Sequence, residues 1–479
     1  MKKINYILIL ALIGISSCKK ADLNLFPYNQ IETNQAFNTE ADITLAIDGM
    51  YAGIRTSGSY YAGTWNIIAD ELADNLISDK SGPGRGTGLT FAEWRYTGDN
   101  TYGLFSGGYT IIRRANAILE NIDKFADGPF KNNAKGQALA LRAMTYFDMS
   151  RVYSKTYENA TTADSTMPYV TTTDPTIKPA KESLRGFYDK VIADLETAKS
   201  IISTTNDIYH FNKSSVSGIL SRVYLYKGDF SNCITASNDA LGTTPVVPNI
   251  ATFPLIWTDA TPSGVLLKIR NTTVDNVNTL GVNYYQTVGG QKKSEYVVEY
   301  NFKQQFLAND IRSTTYIQTG PFNGQNYNHV IKYAGRGGGE PDGVLDAKVI
   351  RTAEVLLNRA ESYYRNSNPT AALTDLVLLK TNRYTGYIAD SASGLPGIAL
   401  LNEIYNQRRL ELAFEGDRFW DLKRRNLPVL RDGTKGDLAN GSGIPYVFTT
   451  LPVGDYRFLL PFPQDEVTFN TNLKQNTGY

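Results

Sequence analysis

The chain is predicted to be mainly α-helical, with helix pairs supporting a long, irregular, loop-rich region. Two observations point there. Three separated segments place apolar residues at i, i+3, i+4 and i+7, the spacing of one helical face: Ala140, Ala143, Met144 and Phe147; Val216, Ile219, Leu220 and Val223; Ala353, Leu356, Leu357 and Ala360. Between the second and third, roughly from Gly242 to Val344, no such period is sustained, and Thr, Asn, Gly and Tyr become abundant. With 479 residues, 42% of them hydrophobic, the chain is long enough to bury a large core.

Taken in order, Lys2 and Lys3 precede the apolar run YILILALIGI, which ends at Ser16, Ser17 and Cys18. This is the layout of an export signal, the run being shorter than the roughly 20 residues a membrane-spanning helix needs. Small residues directly before a cysteine, ISSC, resemble a bacterial lipobox, so Cys18 is expected to become the first mature residue and to carry lipid, with residues 1–17 removed. The helical part then runs over 18–241. Its last segment continues as VYLYKGDFSNCITASNDAL, where Gly228 and Asp229 can turn between two antiparallel helices and Ala236 permits close packing. Residues 242–344 form the irregular insertion, with short β-like runs YVVEY and HVIKY. Helices resume over 345–430, where AEVLLNRAESYYRNSNPTAALTDLVLL repeats the two-helix plan with Asn368 and Pro369 at the turn; both units resemble tetratricopeptide repeats. In 431–479 the prolines of RFLLPFPQDEV exclude a long helix.

The segment RRLELAFEGDRFWDLKRR, Arg408 to Arg425, raises the question of a polyanion-binding surface. The overall balance of 48 Lys plus Arg against 47 Asp plus Glu gives no phosphate-attracting field, so nucleic acid is not an expected partner. Arg408 lies on the apolar stripe of Leu401, Ile404, Tyr405 and Leu412 and is expected to need a carboxylate, with Glu411 one turn away. Asp421 is placed to pair with Arg424 or Arg425 at i+3 and i+4.

The remaining motifs are sparse. Cys233, in a helical pattern, reads as a small packing residue, and two histidines offer no metal cluster and no motif for a catalytic triad. SGPGRGTG and GRGGGEPDG lack the Gly-Lys-Ser/Thr ending of a phosphate-binding loop. No metal ligand set, redox cofactor or catalytic pair is therefore expected. The 31 tyrosines suit either packed helices or sugar-binding faces.

The stretches LNLFPYNQIETNQAFNTEADITLAIDGMYAGI, YTIIRRANAILENI, GQALALRAMTYFDMSRVY, SSVSGILSRVYLYKGDF, VIRTAEVLLNRAESYY, RRLELAFEGDRFWDLKRR and LLPFPQDEVTFNTNLKQNTGY, in that order, resemble the SusD/RagB family of outer-membrane nutrient-binding lipoproteins. The resemblance spans nearly the whole mature chain. It implies tetratricopeptide-like helix pairs packed against an irregular ligand-binding region, and a non-enzymatic lipoprotein facing the cell surface. Such proteins pass oligosaccharides, or occasionally peptides, to a SusC-like TonB-dependent transporter. Lys19 and Lys20, where acidic surface-export signals are frequent, depart from that pattern and leave periplasmic retention open. By region, the resemblance directs ligand contacts to ADELADNLISDK and FAEWRYTGDN, with Asp70, Asp74, Arg85, Trp94, Tyr96 and Asn100 as candidates, and the insertion adds Tyr284, Tyr285 and Tyr296. If the loop is extended, Trp94 and Tyr96 face the same way and form a sugar platform with Asn100 at its rim; the competing expectation is that both rings pack beneath the loop. A surface glycosidase and a protein-binding tetratricopeptide scaffold are the alternative functional classes.

Overall fold

The computed structural model describes residues 36–55, 60–82, 88–275, 277 and 279–479; Cys18 and Arg85 lie outside them. Eleven helices carry the architecture: α1 (Glu40–Arg55), α2 (Trp65–Glu71), α3 (Leu104–Asn121), α4 (Pro129–Tyr153), α5 (Leu184–Ile201), α6 (Lys213–Lys227), α7 (Phe230–Leu241), α8 (Thr352–Arg365), α9 (Pro369–Thr381), α10 (Ile398–Glu411) and α11 (Arg418–Arg424). From α3 to α9 each packs on the next, across the insertion as well, since α7 lies against α8. All twelve residues of the three predicted stripes are buried in one core that runs through this array.

Local signals explain the helix pairs. Asn212 starts α6 with a capping box, its side chain accepting from the Ser215 amide at 3.0 Å. Gly228 ends α6 in a left-handed conformation (φ 76°), and the Asp229 carboxylate accepts from the Asn232 amide to start α7. The α8–α9 turn is built likewise: Asn368 accepts from the Ala371 amide at 3.1 Å, and Pro369 takes the first helical position. In α4 every residue from Gly136 to Tyr153 is buried, so its stripe is only part of an all-round contact. Cys233 is fully buried, as its pattern predicts.

The insertion builds a second, aromatic core of Phe253, Trp257, Tyr284, Phe302, Tyr316 and Tyr333, closed by Phe414 from the segment after α10. Strands among the described residues form two-stranded antiparallel pairs: β1 (Leu76–Ser78) with β5 (Tyr296–Val298), β2 (Val265–Ile269) with β8 (Ala347–Arg351), β3 (Gln286–Val288) with β4 (Gln291–Lys293), β6 (Ile317–Phe322) with β7 (Gln325–Val330), and β9 (Val429–Leu430) with β10 (Thr450–Leu451). The runs YVVEY and HVIKY contribute β5 and the end of β7. No helix of the described residues is long and apolar enough to cross a membrane.

The Arg408–Arg425 segment is structural. Asp421 pairs with Arg424 at 2.6 Å and with Arg425 at 3.2 Å, as the helical spacing predicts. The partner of Arg408 differs from expectation. Its guanidinium makes a two-pronged contact with Asp417 at 3.0 and 2.8 Å and donates to Asn358 at 2.7 Å, while Glu411 turns to Arg351 and Arg383, both at 2.8 Å. The reason is the break after α10: Gly416 takes a left-handed φ of 78°, where a side chain would strike the Trp65 carbonyl, and the chain folds back to set Asp417 beside Arg408.

Arg408 is 1% exposed, so Arg408→Ala would leave the Asp417 carboxylate buried without its cation. The expected loss is about 3–5 kcal/mol in urea unfolding. A loss below about 1 kcal/mol would show that water or another cation replaces the guanidinium freely.

Candidate ligand-binding surface

Antiparallel pairing of β1 with β5 sets Ser78 opposite Tyr296 and so joins the two candidate regions, which are far apart in the chain. Most of the named residues lie beneath the surface this creates. The Asp70 carboxylate is fully buried and accepts from the Asn75 side chain at 2.6 Å; burial pushes its pKa up to about 7. Glu71 beside it is pushed up to about 8 by burial, against the pull of the Tyr102 hydroxyl, which donates to it. Tyr284 is fully buried with its hydroxyl on the Asn66 carbonyl at 3.0 Å, and Tyr296 is 3% exposed. Asp74 is a bracket: Arg418 grips it at 2.7 and 2.9 Å and Arg409 reaches it at 3.2 Å, and these guanidiniums overcome burial to hold its carboxyl well below the usual range.

The platform expected of Trp94 and Tyr96 does not form. Both rings are 3% exposed. Trp94 donates from its indole to the Leu72 carbonyl at 3.0 Å and lies under the Arg431 guanidinium, 4.1 Å from the ring centroid. Tyr96 stacks on Phe91 and donates to the Arg457 carbonyl. Alternate side chains share a face only in extended backbone, and Trp94 has a φ of 52° at the end of the short helix Leu89–Ala92, so the chain turns both rings inward. Asn100 is exposed, its amide closing a turn onto the Thr97 carbonyl at 3.0 Å.

Of the named aromatics Tyr285 comes nearest to solvent. Its hydroxyl donates to Gln318, its ring meets His329 edge-on at 5.8 Å, and the Lys292 ammonium lies 4.4 Å from its centroid. The hairpins β3–β4 and β6–β7 flank an open cleft of 410 Å³ lined by Val288, Gly289, Gln291, Lys293, Phe322 and Asn323. Lys293 is held by Glu295 at 2.9 Å. The loop leaving β1 is pinned by Asp437, which accepts from the Lys80 and Ser81 amides at 2.6 Å and from the Ile444 amide at 2.8 Å.

These cleft residues escaped the sequence reading, although the hairpins have a signal. Asn323-Gly324 and Gly289-Gly290 have positive φ at both positions, the conformation that tight two-residue hairpins need and that these dipeptides adopt readily. Ser294 and His329 touch at 2.7 Å, but the serine hydroxyl donates to the Tyr284 carbonyl at 2.5 Å, and the other imidazole nitrogen faces the Gly320 carbonyl rather than an orienting carboxylate. Among the described residues no group of three His, Cys, Asp or Glu side chains is arranged to hold a metal ion.

Because Trp94 is a core residue, Trp94→Ala should lower stability by about 3–5 kcal/mol. An unchanged melting temperature would contradict its place in the core.

Comparison with known proteins fits this architecture. Residues 267–479 match the model of the SusD family, and residues 25–225 match a model described as starch-binding, associating with outer membrane. The chain is 26% identical to SusD-like protein P2 of Formosa agariphila, over 100% of both chains, and 22% identical to SusD-like protein P38 of that organism, over 89% of this chain and 92% of the other. It is similar in structure to a protein provisionally described as sugar binding from Bacteroides vulgatus ATCC 8482, with a TM-score of 0.81 at 26% identity, covering 93% of this chain and 99% of that one. A SusD superfamily protein from the same organism gives 0.80 at 24% identity, over 92% and 100%. With family models matching both halves and the fold shared along nearly its whole length, the chain belongs to the SusD/RagB family.

Proposed function

We propose that the protein is a lipid-anchored outer-membrane lipoprotein that binds oligosaccharides, without cleaving them, and passes them to a SusC-like TonB-dependent transporter. The observation that carries the binding site is the open cleft between the β3–β4 and β6–β7 hairpins, which the β1–β5 pairing joins to the region around β1. The matched model described as starch-binding and associating with outer membrane supports both the ligand class and the location. Gln291, Lys293 and Asn323 line the cleft and supply hydrogen-bonding groups suited to sugar hydroxyls, and Tyr285, outside that lining but next to β3, supplies an aromatic face. Arg85 and Asn100 stay proposed contacts because of their place in the chain. Asp70, Tyr284 and Tyr296 are buried and Asp74 is gripped by Arg418 and Arg409, so these four act as supports rather than as contacts.

Once a glycan screen finds a ligand, Tyr285→Ala should weaken it by about 2 kcal/mol, roughly thirtyfold, with the melting temperature unchanged. Native affinity in Tyr285→Ala and in Lys293→Ala would remove the cleft from the site. Cleavage of the glycan by the purified protein would overturn the non-enzymatic reading.

Anchoring and partnership rest on Cys18 after its apolar run and on the family. Cys18→Ala should abolish acyl labelling and release the protein from the membrane fraction, and the lipidated form should copurify with a TonB-dependent barrel in mild detergent. Unchanged labelling would defeat the first expectation. Repeated pull-downs without a barrel would defeat the second, and protease accessibility on intact cells decides which leaflet Lys19 and Lys20 permit.

A further inference from the structure

A cavity of 660 Å³ that shares no lining residue with the cleft opens where the end of α11, the 155–165 loop and the C-terminal segment meet. Its volume is that of a small-molecule site. The charges on its wall do not balance. Lys155 is paired with Asp164 at 2.7 Å, and Asp455 with Arg457 at 2.7 Å. Lys423 and Lys181 remain, and among the described residues neither has a carboxylate within ion-pair distance.

Lys423 stands out against the rest of the molecule. The other buried lysines each meet a carboxylate: Lys268 meets Asp346 at 2.7 Å, Lys332 meets Glu415 at 2.6 Å and Lys348 meets Asp259 at 2.7 Å. Lys423 is 8% exposed, and its ammonium donates only to the Arg151 carbonyl at 2.7 Å, leaving two of its three donors unused. Lys181 donates to the Asn476 side chain at 3.2 Å and lies 5.1 Å from the Phe462 ring centroid. A buried cation without a counter-charge is costly, and burial lowers the pKa of both amines, that of Lys423 to about 7. An anion entering the cavity would remove that cost. The rest of the wall suits a hydroxylated molecule, with exposed amides on Asn159 and Asn426 and apolar faces on Tyr456, Phe458 and Leu459.

We infer that this cavity is a second ligand site, which takes a small hydroxylated molecule bearing one carboxylate or sulfate and holds that oxyanion between Lys423 and Lys181. The inference rests on the cavity alone and stands whether or not the cleft binds glycan.

Calorimetry of the purified protein with glucuronate, glucose 6-sulfate, glucose and inorganic sulfate tests it. Glucuronate or glucose 6-sulfate should bind, the stronger of the two identifying the oxyanion, and glucose should bind at least tenfold more weakly. Lys423→Met should abolish that preference while melting at or above the native temperature, since it removes an uncompensated charge and keeps the side-chain length. Lys181→Met, at a less buried position, should weaken the same ligand at least fivefold, and Tyr285→Ala should leave it unchanged. The proposal is overturned if neither acidic sugar binds better than glucose, if both lysine variants keep native affinity, or if inorganic sulfate alone binds as tightly as the sulfated sugar.

Discussion

The structure depends on a lattice of buried guanidinium–carboxylate contacts centred on Glu411. This carboxylate, at the end of α10, meets Arg351 from β8 and Arg383 from the turn just after α9 at 2.8 Å, with Arg312 from the insertion at 3.6 Å. The three arginines overcome burial to hold its pKa far below the ordinary carboxylate range. Neighbouring contacts extend the lattice: Glu415 binds Lys332 at 2.6 Å, Arg424 binds Glu361 on α8 at 2.7 Å, and Arg418 binds Asp74 ahead of β1 at 2.7 Å. Such pairs add little net stability against an apolar core, but removing one partner costs several kcal/mol. Their effect here is to fix one arrangement: a single basic and acidic segment clamps the helix array, the aromatic core of the insertion and the loop entering β1.

That clamp connects fold to function. Strand pairs of two to six residues have little stability of their own, so the hairpins around the cleft need a rigid base. Asp74 and the paired β1 and β5 supply it on one side, and the aromatic core supplies it on the other. Loops held this way can differ among relatives while the frame persists, consistent with a TM-score of 0.81 at 26% identity.

Much of the frame was legible in the sequence because it is locally encoded. The three apolar stripes, the Gly228-Asp229 and Asn368-Pro369 turns, and the Asp421 pairs with Arg424 and Arg425 all follow from spacings within a few residues. The failures were non-local or turned on one dihedral angle. Arg408 finds Asp417 only because Gly416 reverses the chain, and Trp94 goes inward because its own φ is positive. Tyr284 and Tyr285 are adjacent in sequence, yet one is core and the other is only half-buried against Gln318 and His329, a division set by what packs against each ring. The cavity beside Lys423 could not be read at all, since its wall is assembled from five separate stretches of the chain.

Native-state amide hydrogen exchange on Glu411→Gln tests the clamp most directly. If Glu411 ties these elements together, protection falls together in Ile311–Tyr316, Ala347–Arg351 and the end of α9 near Arg383, while α6 and α7 keep theirs. Loss of protection confined to the last turn of α10, with those three segments unchanged, would contradict the account.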